Sequence, residues 1–203
     1  MTETLALGAV GTPIGRLLVG VTDVGLATVD FRDSPAARRR AAAAIGLPVA
    51  ADPARTEPVC AELTAYFAGE LTRFTVPVDW RLVSPLRRRV LATLHATVPY
   101  GSVLTYGELG GRSGADVPAR AIGQIMGSNP IPIVVPCHRV VAGNGLGGYS
   151  GGSGIEIKRW LLTLEGALPA TLDWDPEHGP EHGPEHGPEH GRVDGRERTL
   201  GGR

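Results

Sequence analysis

The sequence predicts an α+β protein with two folded units and a disordered tail, and three observations indicate this class. Short strand-like runs separated by glycine and proline turns occupy the N-terminal part. Helical periodicity dominates from Ser84 onward. From Pro176 the chain repeats Pro-Glu-His-Gly four times, a composition that cannot bury apolar surface. We therefore expect a small domain with an antiparallel sheet at residues 1–80, a mostly helical helix-turn-helix domain at 81–170 and a disordered tail at 171–203.

The N-terminal unit is predicted to be an antiparallel meander followed by helices and a last strand. Turn residues separate the strand-like runs 4–10, 15–21 and 25–31. Ser34-Pro35 is a helix-start signal for a helix that ends near Ile45. A second helix is predicted at 57–68, a strand at 74–78 and a linker at 79–83. Nothing in this unit indicates catalysis, and Cys60 is assigned to helix packing.

The second unit begins with another helix-start signal, Ser84-Pro85, and the apolar side of its first helix carries Leu86, Val90 and Leu94. Thr105 and Glu108 fit a capping box that opens a short helix. A further helix at 118–126 follows a glycine-bearing break, and the two short helices are typical of a helix-turn-helix.

An apolar run, Ile131–Val135, is predicted to be a strand that leads into Cys137. A glycine-rich loop at 143–154 follows it. The last helix is predicted at 155–165, with Trp160, Leu161 and Leu164 facing inward.

Charge is unevenly distributed along the 203 residues, although the net charge is only −1. Residues 171–203 carry eight acidic groups and four arginines, a net charge of −4, whereas residues 81–168 carry nine basic and four acidic groups, a net charge of +5. A basic unit beside a neutral one suggests an anionic partner such as nucleic acid. An ordinary mixed surface is an equally good explanation of the charge alone.

Cysteine content and apolar runs indicate where such a chain resides. The two cysteines form no disulfide framework, and the first residues lack the basic region of a signal peptide. No apolar run has membrane-spanning length. We expect a soluble, cytoplasmic protein without a membrane partner. The four histidines of the repeat could bind nickel or zinc weakly, but a solvated extension is the better explanation.

The segment Pro136-Cys137-His138-Arg139-Val140 places a thiol beside an imidazole, and the thiolate is the reactive form of cysteine. Taken alone, a single cysteine is most often a small buried apolar residue. A basic helix-turn-helix combined with a soft nucleophile suggests attack on a carbon carried by DNA, and an atom inside the duplex must first be turned out of the stack.

Residues 84–168 resemble the O6-alkylguanine-DNA alkyltransferases, a family of suicide DNA-repair proteins. The resemblance is carried, in order, by Val98-Pro99-Tyr100-Gly101, Thr105-Tyr106, Ala119-Arg120-Ala121, Asn129-Pro130, the run 133–141, Gly148-Tyr149-Ser150-Gly151-Gly152, and Lys158-Arg159-Trp160-Leu161-Leu162 with Glu165. It implies a ribonuclease H-like N-terminal domain and stoichiometric transfer of an alkyl group from O6-alkylguanine, and less readily O4-alkylthymine, to a cysteine.

The resemblance also implies a role for each residue of the reaction centre. Cys137 is the expected alkyl acceptor, and His138 is expected to take its proton through a water and thereby to lower the pKa of the thiol. Glu165 is expected to orient the imidazole. Asn129 is expected to bridge the turn between the recognition helix and the active-site segment.

The DNA contacts and the base pocket follow from the same resemblance. Tyr106 is expected to press on the phosphate beside the damaged nucleotide and to protonate the leaving guanine. Arg120 is expected to enter the base stack between the small neighbours Ala119 and Ala121, on a helix that lies in the minor groove. The pocket for the extruded guanine is expected to be lined by Tyr149 and Ser150 and by backbone groups near Val135 and Val140. The implied partner is double-stranded DNA with alkylated bases, bound by a monomer without cofactor or metal.

Each of these residues also has a plainer explanation. Arg120 can be a surface arginine, Tyr106 a half-buried packing residue, Asn129 part of an ordinary Asn-Pro turn, and Glu165 a solvated acid near a helix end. The helix after Ser84 lacks an aromatic pair that the family often carries, and the loop 152–157 is longer than usual.

Three other functions remain open at this point. A damage sensor would bind alkylated DNA without transfer, and Cys137 argues against it. A cysteine hydrolase would need a separate oxyanion site and would turn over. A transcription factor would need sequence preference, which the few polar residues of the helix at 119–126 disfavour.

Overall fold

A computed structural model describes residues 2–169 of the chain; the predicted tail at 171–203 and its four repeat histidines lie outside the described residues. The fold is α+β, as the sequence predicts. A sheet with two helices forms the N-terminal part, and four helices form most of the remainder. Buried apolar residues from both parts belong to one contiguous core cluster.

The N-terminal sheet contains β1 (Leu5–Thr12), β2 (Gly15–Val21) and β3 (Leu26–Asp30) in an antiparallel meander, which confirms the predicted connectivity. A fourth strand, β4 (Val49–Ala50), was not expected from the sequence. It pairs with β1 in parallel, so the strand order is β3-β2-β1-β4 and the sheet is mixed.

The strand predicted at 74–78 is wrong: within this segment only Val78 makes a bridge, to Leu26. The backbone amides of Thr75 and Val76 are bonded to the carboxylate of Glu62 instead of to a neighbouring strand. Pro77 has no amide hydrogen to contribute. The segment therefore follows the sheet edge as an irregular connection.

Two helices cover the sheet. In α1 (Pro35–Ile45) the Ser34 hydroxyl accepts a hydrogen bond from the Ala37 amide, a standard N-cap. The second helix, α2 (Pro53–Phe67), begins four residues earlier than predicted. Pro53 lies in its first turn, where proline is favoured because the amide hydrogen it lacks would have no partner within the helix. It packs closely on β1 at Gly8, where an added Cβ would lie 2.7 Å from Thr56.

The second part begins with α3 (Pro85–Thr97), followed by α4 (Tyr106–Ser113) and α5 (Ala119–Gly127). Leu86 was predicted to face the core but is 43% exposed, because the buried side of α3 begins with Val90 and Leu91. The capping box between Thr105 and Glu108 is present, as predicted.

The last elements surround the Cys-His pair. Cys137–Arg139 form a single 3₁₀ turn that leads into β6 (Val140–Val141), and β6 pairs in parallel with β5 (Leu104–Thr105). The last helix among residues 2–169 is α6 (Ile155–Leu164). Leu161 is fully buried as predicted, whereas Trp160 is only half-buried and packs against Phe67.

Ile131–Val135 is not a strand, contrary to the sequence prediction; the segment turns instead. Prolines at 130, 132 and 136 remove the donors that a strand ladder needs. Ile133 adopts φ +75°, a left-handed conformation that a β-branched residue rarely occupies. The Val135 amide bonds back to the carbonyl of Ile131 at 2.9 Å, which closes the turn just before Cys137.

Candidate active site

Cys137 lines a cavity of about 610 Å³. The side chain is 5% exposed and carries a free thiol. Most of the cavity lining comes from α5 and the loop after β6. The lining residues are Tyr106, Ala119, Arg120, Gly123, Gln124, Met126, Gly127, Cys137, Gly148, Tyr149 and Ser150. A volume of this size suits a small organic ligand.

Asn129 holds the turn that presents the thiol. Its Nδ2 donates to the carbonyl of Val135 at 2.8 Å, and its Oδ1 accepts from the amide of Ile131 at 3.1 Å. A backbone hydrogen bond of 2.9 Å from the Val29 amide to the Pro130 carbonyl fixes the same turn to β3 of the sheet. Asn129 thus lies where the sequence predicted it, between α5 and the cysteine.

His138 and Arg139, the two residues after Cys137, form a buried cluster with Glu165. Nε2 of His138 lies 2.8 Å from Oε1 of Glu165. The guanidinium of Arg139 donates two hydrogen bonds to the same carboxylate, from Nε at 2.8 Å and from Nη2 at 2.9 Å. Its Nη1 donates to the carbonyl of Val98 at 2.7 Å. Nδ1 of His138 is buried and has no hydrogen-bond partner among residues 2–169.

The charges in this cluster shift the titration of each member. Burial alone would raise the pKa of the Glu165 carboxyl, but the hydrogen bonds and charges of His138 and Arg139 lower it to about 2. Burial lowers the pKa of His138, and its contact with Glu165 opposes this only partly. The resting centre therefore combines an ionised carboxylate with a neutral imidazole at neutral pH.

The expectation that the thiol pKa is lowered is wrong for the free protein. Burial raises the pKa of the Cys137 thiol by more than Asn129, Tyr149 and Lys158 lower it, and His138 is not among the groups that act on it. Cys137 is therefore a neutral thiol at neutral pH. Reactivity at this sulfur requires that its proton be removed.

Lys158 is a fully buried cation beside the cavity, although the sequence assigned it no role. Its Nζ donates to the carbonyls of Val140 at 2.7 Å, Leu146 at 2.5 Å and Gly148 at 3.3 Å, so one ammonium group holds the loop after β6. Burial lowers its pKa to about 8. The ammonium also lies 5.8 Å from the centre of the Tyr106 ring, a cation–π distance.

Three of the four residues predicted to contact DNA line the cavity. Tyr106, Ala119 and Arg120 line it, and Arg120 is exposed on the first turn of α5. The Tyr106 hydroxyl donates to the carbonyl of Gly148 at 3.3 Å. Ala121 is half-buried and is not among the lining residues.

The predicted pocket residues divide into two groups. Tyr149 and Ser150 line the cavity; the Ser150 hydroxyl donates to the carbonyl of Gly127 at 2.9 Å, and the buried Tyr149 hydroxyl has its pKa raised well above the usual value by burial and by the neighbouring Cys137. Val135 and Val140 are buried and do not line it. Their carbonyls already accept hydrogen bonds, from Asn129 and from Lys158 respectively.

The sequence analysis missed three residues of the candidate active site. Arg139 and Lys158 belong to the motifs that carry the family resemblance but were given no role. A basic residue beside apolar neighbours was the sequence signal that could have identified them. Tyr66 of α2 donates a hydrogen bond of 2.6 Å to Oε1 of Glu165. Nothing local in the sequence connects it to a residue 99 positions away.

Two further properties of residues 2–169 bear on function. No helix among them has the length and apolar character that crossing a bilayer requires. Within the same residues, no three histidine, cysteine or acidic side chains lie close enough to hold a metal ion together.

Comparison with known proteins gives a consistent result over both parts of the chain. Residues 7–80 match the family model described as the ribonuclease-like domain of 6-O-methylguanine DNA methyltransferase, and residues 85–167 match its DNA-binding domain. A methylated-DNA–protein-cysteine methyltransferase of Mycolicibacterium paratuberculosis is 50% identical over 105 residues, which are 51% of this chain and 61% of that protein. The alignment thus spans less than two thirds of that relative.

Longer matches cover nearly whole relatives. A protein of the same description from Saccharolobus islandicus is 32% identical over 162 residues, which are 80% of this chain and 96% of that protein. The crystal structure of Mycobacterium tuberculosis OGT in complex with DNA superposes with a TM-score of 0.67 at 37% identity, covering 80% of this chain and 93% of that one. The chain therefore belongs to the 6-O-methylguanine DNA methyltransferase family.

Proposed function

We propose that this protein repairs DNA by moving an alkyl group from O6 of a guanine to Sγ of Cys137, once per protein molecule. The observation that carries the proposal is that Cys137 and the exposed Arg120 line one cavity, while His138, the residue next to Cys137, is buried and paired with the Glu165 carboxylate. The family to which the chain belongs supports the same chemistry, and the cavity is large enough for one extruded base.

Activation of the thiol is the first step. Because Glu165 accepts a hydrogen bond from Nε2 of His138, the neutral ring keeps its proton on Nε2 and offers Nδ1 as a base. We propose that Nδ1 takes the Cys137 proton through a water molecule. The imidazolium so formed is stabilised by the ionised Glu165, whose pKa of about 2 keeps it charged. The thiolate is thus generated as the reaction requires it.

Alkyl transfer is the second step. Sγ of Cys137 attacks the alkyl carbon, the new S–C bond forms while the C–O6 bond breaks, and the bonding electrons pass to the purine. The guanine anion is neutralised by a proton from the Tyr106 hydroxyl, which burial keeps protonated by raising its pKa. Tyr106 recovers a proton from the imidazolium through solvent. In sum, the thiol proton ends on guanine and the cysteine becomes a thioether that no step regenerates.

Access to the lesion is proposed to occur by base flipping. The helices α4 and α5 act as a helix-turn-helix that lies on the minor groove, so that the exposed Arg120 enters the stack and occupies the space the base has left. The related Mycobacterium tuberculosis protein has been crystallised in complex with DNA. Because the side chain of Ala119 is small, α5 can approach the DNA backbone closely at this position.

The proposal extends to O4-alkylthymine as a poorer substrate and to a monomer as the acting species. Reaction at a thiol also requires that the cysteines stay reduced. Cys60 and Cys137 are both free, which suits the cytoplasm.

A stoichiometry experiment tests this function. The protein is mixed with excess duplex that carries a tritiated methyl group on O6 of one guanine, and label on protein is counted over time. We expect a burst that stops at one methyl group per protein. Continued release of labelled methanol would indicate a hydrolase. Tight binding to the lesion-bearing duplex without transfer of label would indicate a damage sensor. Binding to one particular undamaged sequence as tightly as to the lesion-bearing duplex would indicate a transcription factor.

A further inference from the structure

Tyr66 connects the N-terminal part of the molecule to the buried pair of His138 and Glu165. Its hydroxyl donates a hydrogen bond of 2.6 Å to Oε1 of Glu165, and its side chain is fully buried. The donor lies on α2 and the acceptor directly follows α6. A residue outside the helical part therefore touches a group of the proposed proton-accepting system.

The oxygen that Tyr66 contacts is shared. Oε1 of Glu165 also receives the hydrogen bond from Nε2 of His138 at 2.8 Å and one from Nη2 of Arg139 at 2.9 Å. Donors that share one carboxylate oxygen compete for its electron density, so each weakens the others. The hydroxyl of Tyr66 consequently limits how strongly Glu165 can hold the imidazole.

Packing fixes the Tyr66 ring independently of its hydroxyl. The ring makes edge-to-face contacts with Phe67 at 5.3 Å and Tyr100 at 6.0 Å, and a tilted contact with Phe74 at 5.3 Å. Burial raises the pKa of the hydroxyl well above its usual value, so it remains a donor across the working pH range. Removal of the hydroxyl alone therefore deletes one hydrogen bond and leaves the aromatic packing in place.

We propose that Tyr66 is a positioning residue for alkyl transfer, which fixes the Glu165 carboxylate and sets how firmly that carboxylate binds the Nε2–H of His138. The inference rests on the function proposed above and extends it to the N-terminal domain. That domain then forms part of the proton-accepting system in addition to supporting the fold. Among residues 2–169, the other titratable groups that act on Tyr66 or His138, or on which Tyr66 acts, are Arg139, Lys158, Tyr100 and Tyr149.

The test compares Tyr66→Phe with Tyr100→Phe in the full chain. Tyr100 is the matched control because its hydroxyl donates to the backbone carbonyl of Leu164 at 2.9 Å and not to the carboxylate. The first readout is the Nε2–H proton resonance of His138 at fixed pH without DNA. We expect it to move downfield in Tyr66→Phe, since the imidazole loses a competitor for Oε1, and to stay in place in Tyr100→Phe.

The second readout is the pH dependence of the single-turnover transfer rate. A firmer bond to Glu165 favours the imidazolium, so the acid-side midpoint of the rate should move upward by several tenths of a pH unit in Tyr66→Phe only. A resonance that stays in place in folded Tyr66→Phe, an equal shift in both variants, or an unchanged midpoint would overturn the inference.

A third variant tests the inference even if Tyr66→Phe does not fold. Incorporation of 3-fluorotyrosine at position 66 keeps the ring and makes the hydroxyl a stronger donor, so the His138 resonance should move upfield; an unmoved resonance again refutes the inference. Because the resonance is recorded without DNA, a wild-type protein that transferred no alkyl group would refute the proposed function alone.

Discussion

The imidazole of His138 and the carboxylate of Glu165 lie 2.8 Å apart, although 27 positions separate them in the chain. Both side chains are completely shielded from solvent. This contact fixes the ring so that Nε2 carries the proton and Nδ1 is the available base. Arg139 neutralises the carboxylate, which allows a charged group to be buried there.

The first prediction concerns the stability that Glu165 supplies. Glu165→Gln should lower the free energy of unfolding at neutral pH by about 3 kcal/mol, because the substitution leaves the Arg139 charge buried without its partner. Urea denaturation measures this value. Glu156→Gln is the matched control, since Glu156 is exposed on α6, the helix that directly precedes Glu165, and should change stability little. Equal stability of the two variants would contradict the prediction.

The pH dependence of stability gives a second prediction. The carboxyl of Glu165 has a pKa of about 2 in the folded protein, against 4.5 ordinarily, so the unfolded chain binds this proton more readily. Its stabilisation is complete above about pH 4.5 and is lost as the pH falls towards 2. We therefore expect the wild-type unfolding free energy to fall more steeply than that of Glu165→Gln across this window. Parallel curves would show that the carboxyl is not perturbed.

Lys158 is predicted to favour the thiolate of Cys137. Its ammonium charge opposes the effect of burial on the thiol pKa, so Lys158→Met should raise that pKa further. The measurement is the rate at which iodoacetamide alkylates Cys137 at pH 7, below the Lys158 pKa of about 8, and this rate should fall in Lys158→Met. Arg159→Met removes a neighbouring but exposed charge and should leave the rate unchanged. An unchanged or higher rate in Lys158→Met would contradict this assignment.

Arg120 is predicted to act on base extrusion more than on general DNA affinity. Arg120→Ala should reduce the preference for a lesion-bearing duplex over undamaged DNA at least tenfold, a loss of about 1.4 kcal/mol, because nothing then fills the vacated stack. Fluorescence anisotropy with both duplexes measures the ratio. Arg39→Ala, on α1, removes one exposed charge away from the cavity and should change both affinities alike. Proportional weakening in Arg120→Ala would refute the role.

Local signals in the sequence predicted much of the fold. Ser34-Pro35 and the Thr105–Glu108 capping box mark helix starts through bonds within a few residues, and both are present. The alternating runs gave the meander for the same reason, since neighbouring strands pair through short turns. Cys137 and His138 were recognisable as a reactive pair because they are contiguous.

The remainder depends on contacts that the sequence does not encode locally. An apolar run at 131–135 has strand composition, but Asn129 and the surrounding prolines impose a turn. The strand at 74–78 is lost because Glu62 takes its backbone donors. Tyr66 reaches Glu165 only through tertiary packing, and the raised pKa of the Cys137 thiol follows from burial that motif spacing does not reveal.

Two cysteine variants separate chemistry from binding. Cys137→Ala should abolish alkyl transfer yet keep affinity for lesion-bearing DNA, because Arg120 and the other residues that line the cavity are kept. Cys60→Ala should transfer normally, since Cys60 is half-buried on α2 and does not line the cavity. Filter binding and label transfer, performed on the same preparations, distinguish the two effects. Transfer that survives in Cys137→Ala would assign the acceptor to another residue.

The most direct measurement is a peptide mass analysis after reaction with a duplex that contains one O6-methylguanine. If Cys137 is the acceptor, the peptide that contains it should gain the mass of one methyl group in place of hydrogen, in equal amount to the guanine restored in the DNA. An unmodified Cys137 peptide alongside repaired DNA, or DNA that remains methylated after long incubation with folded protein, would contradict the account.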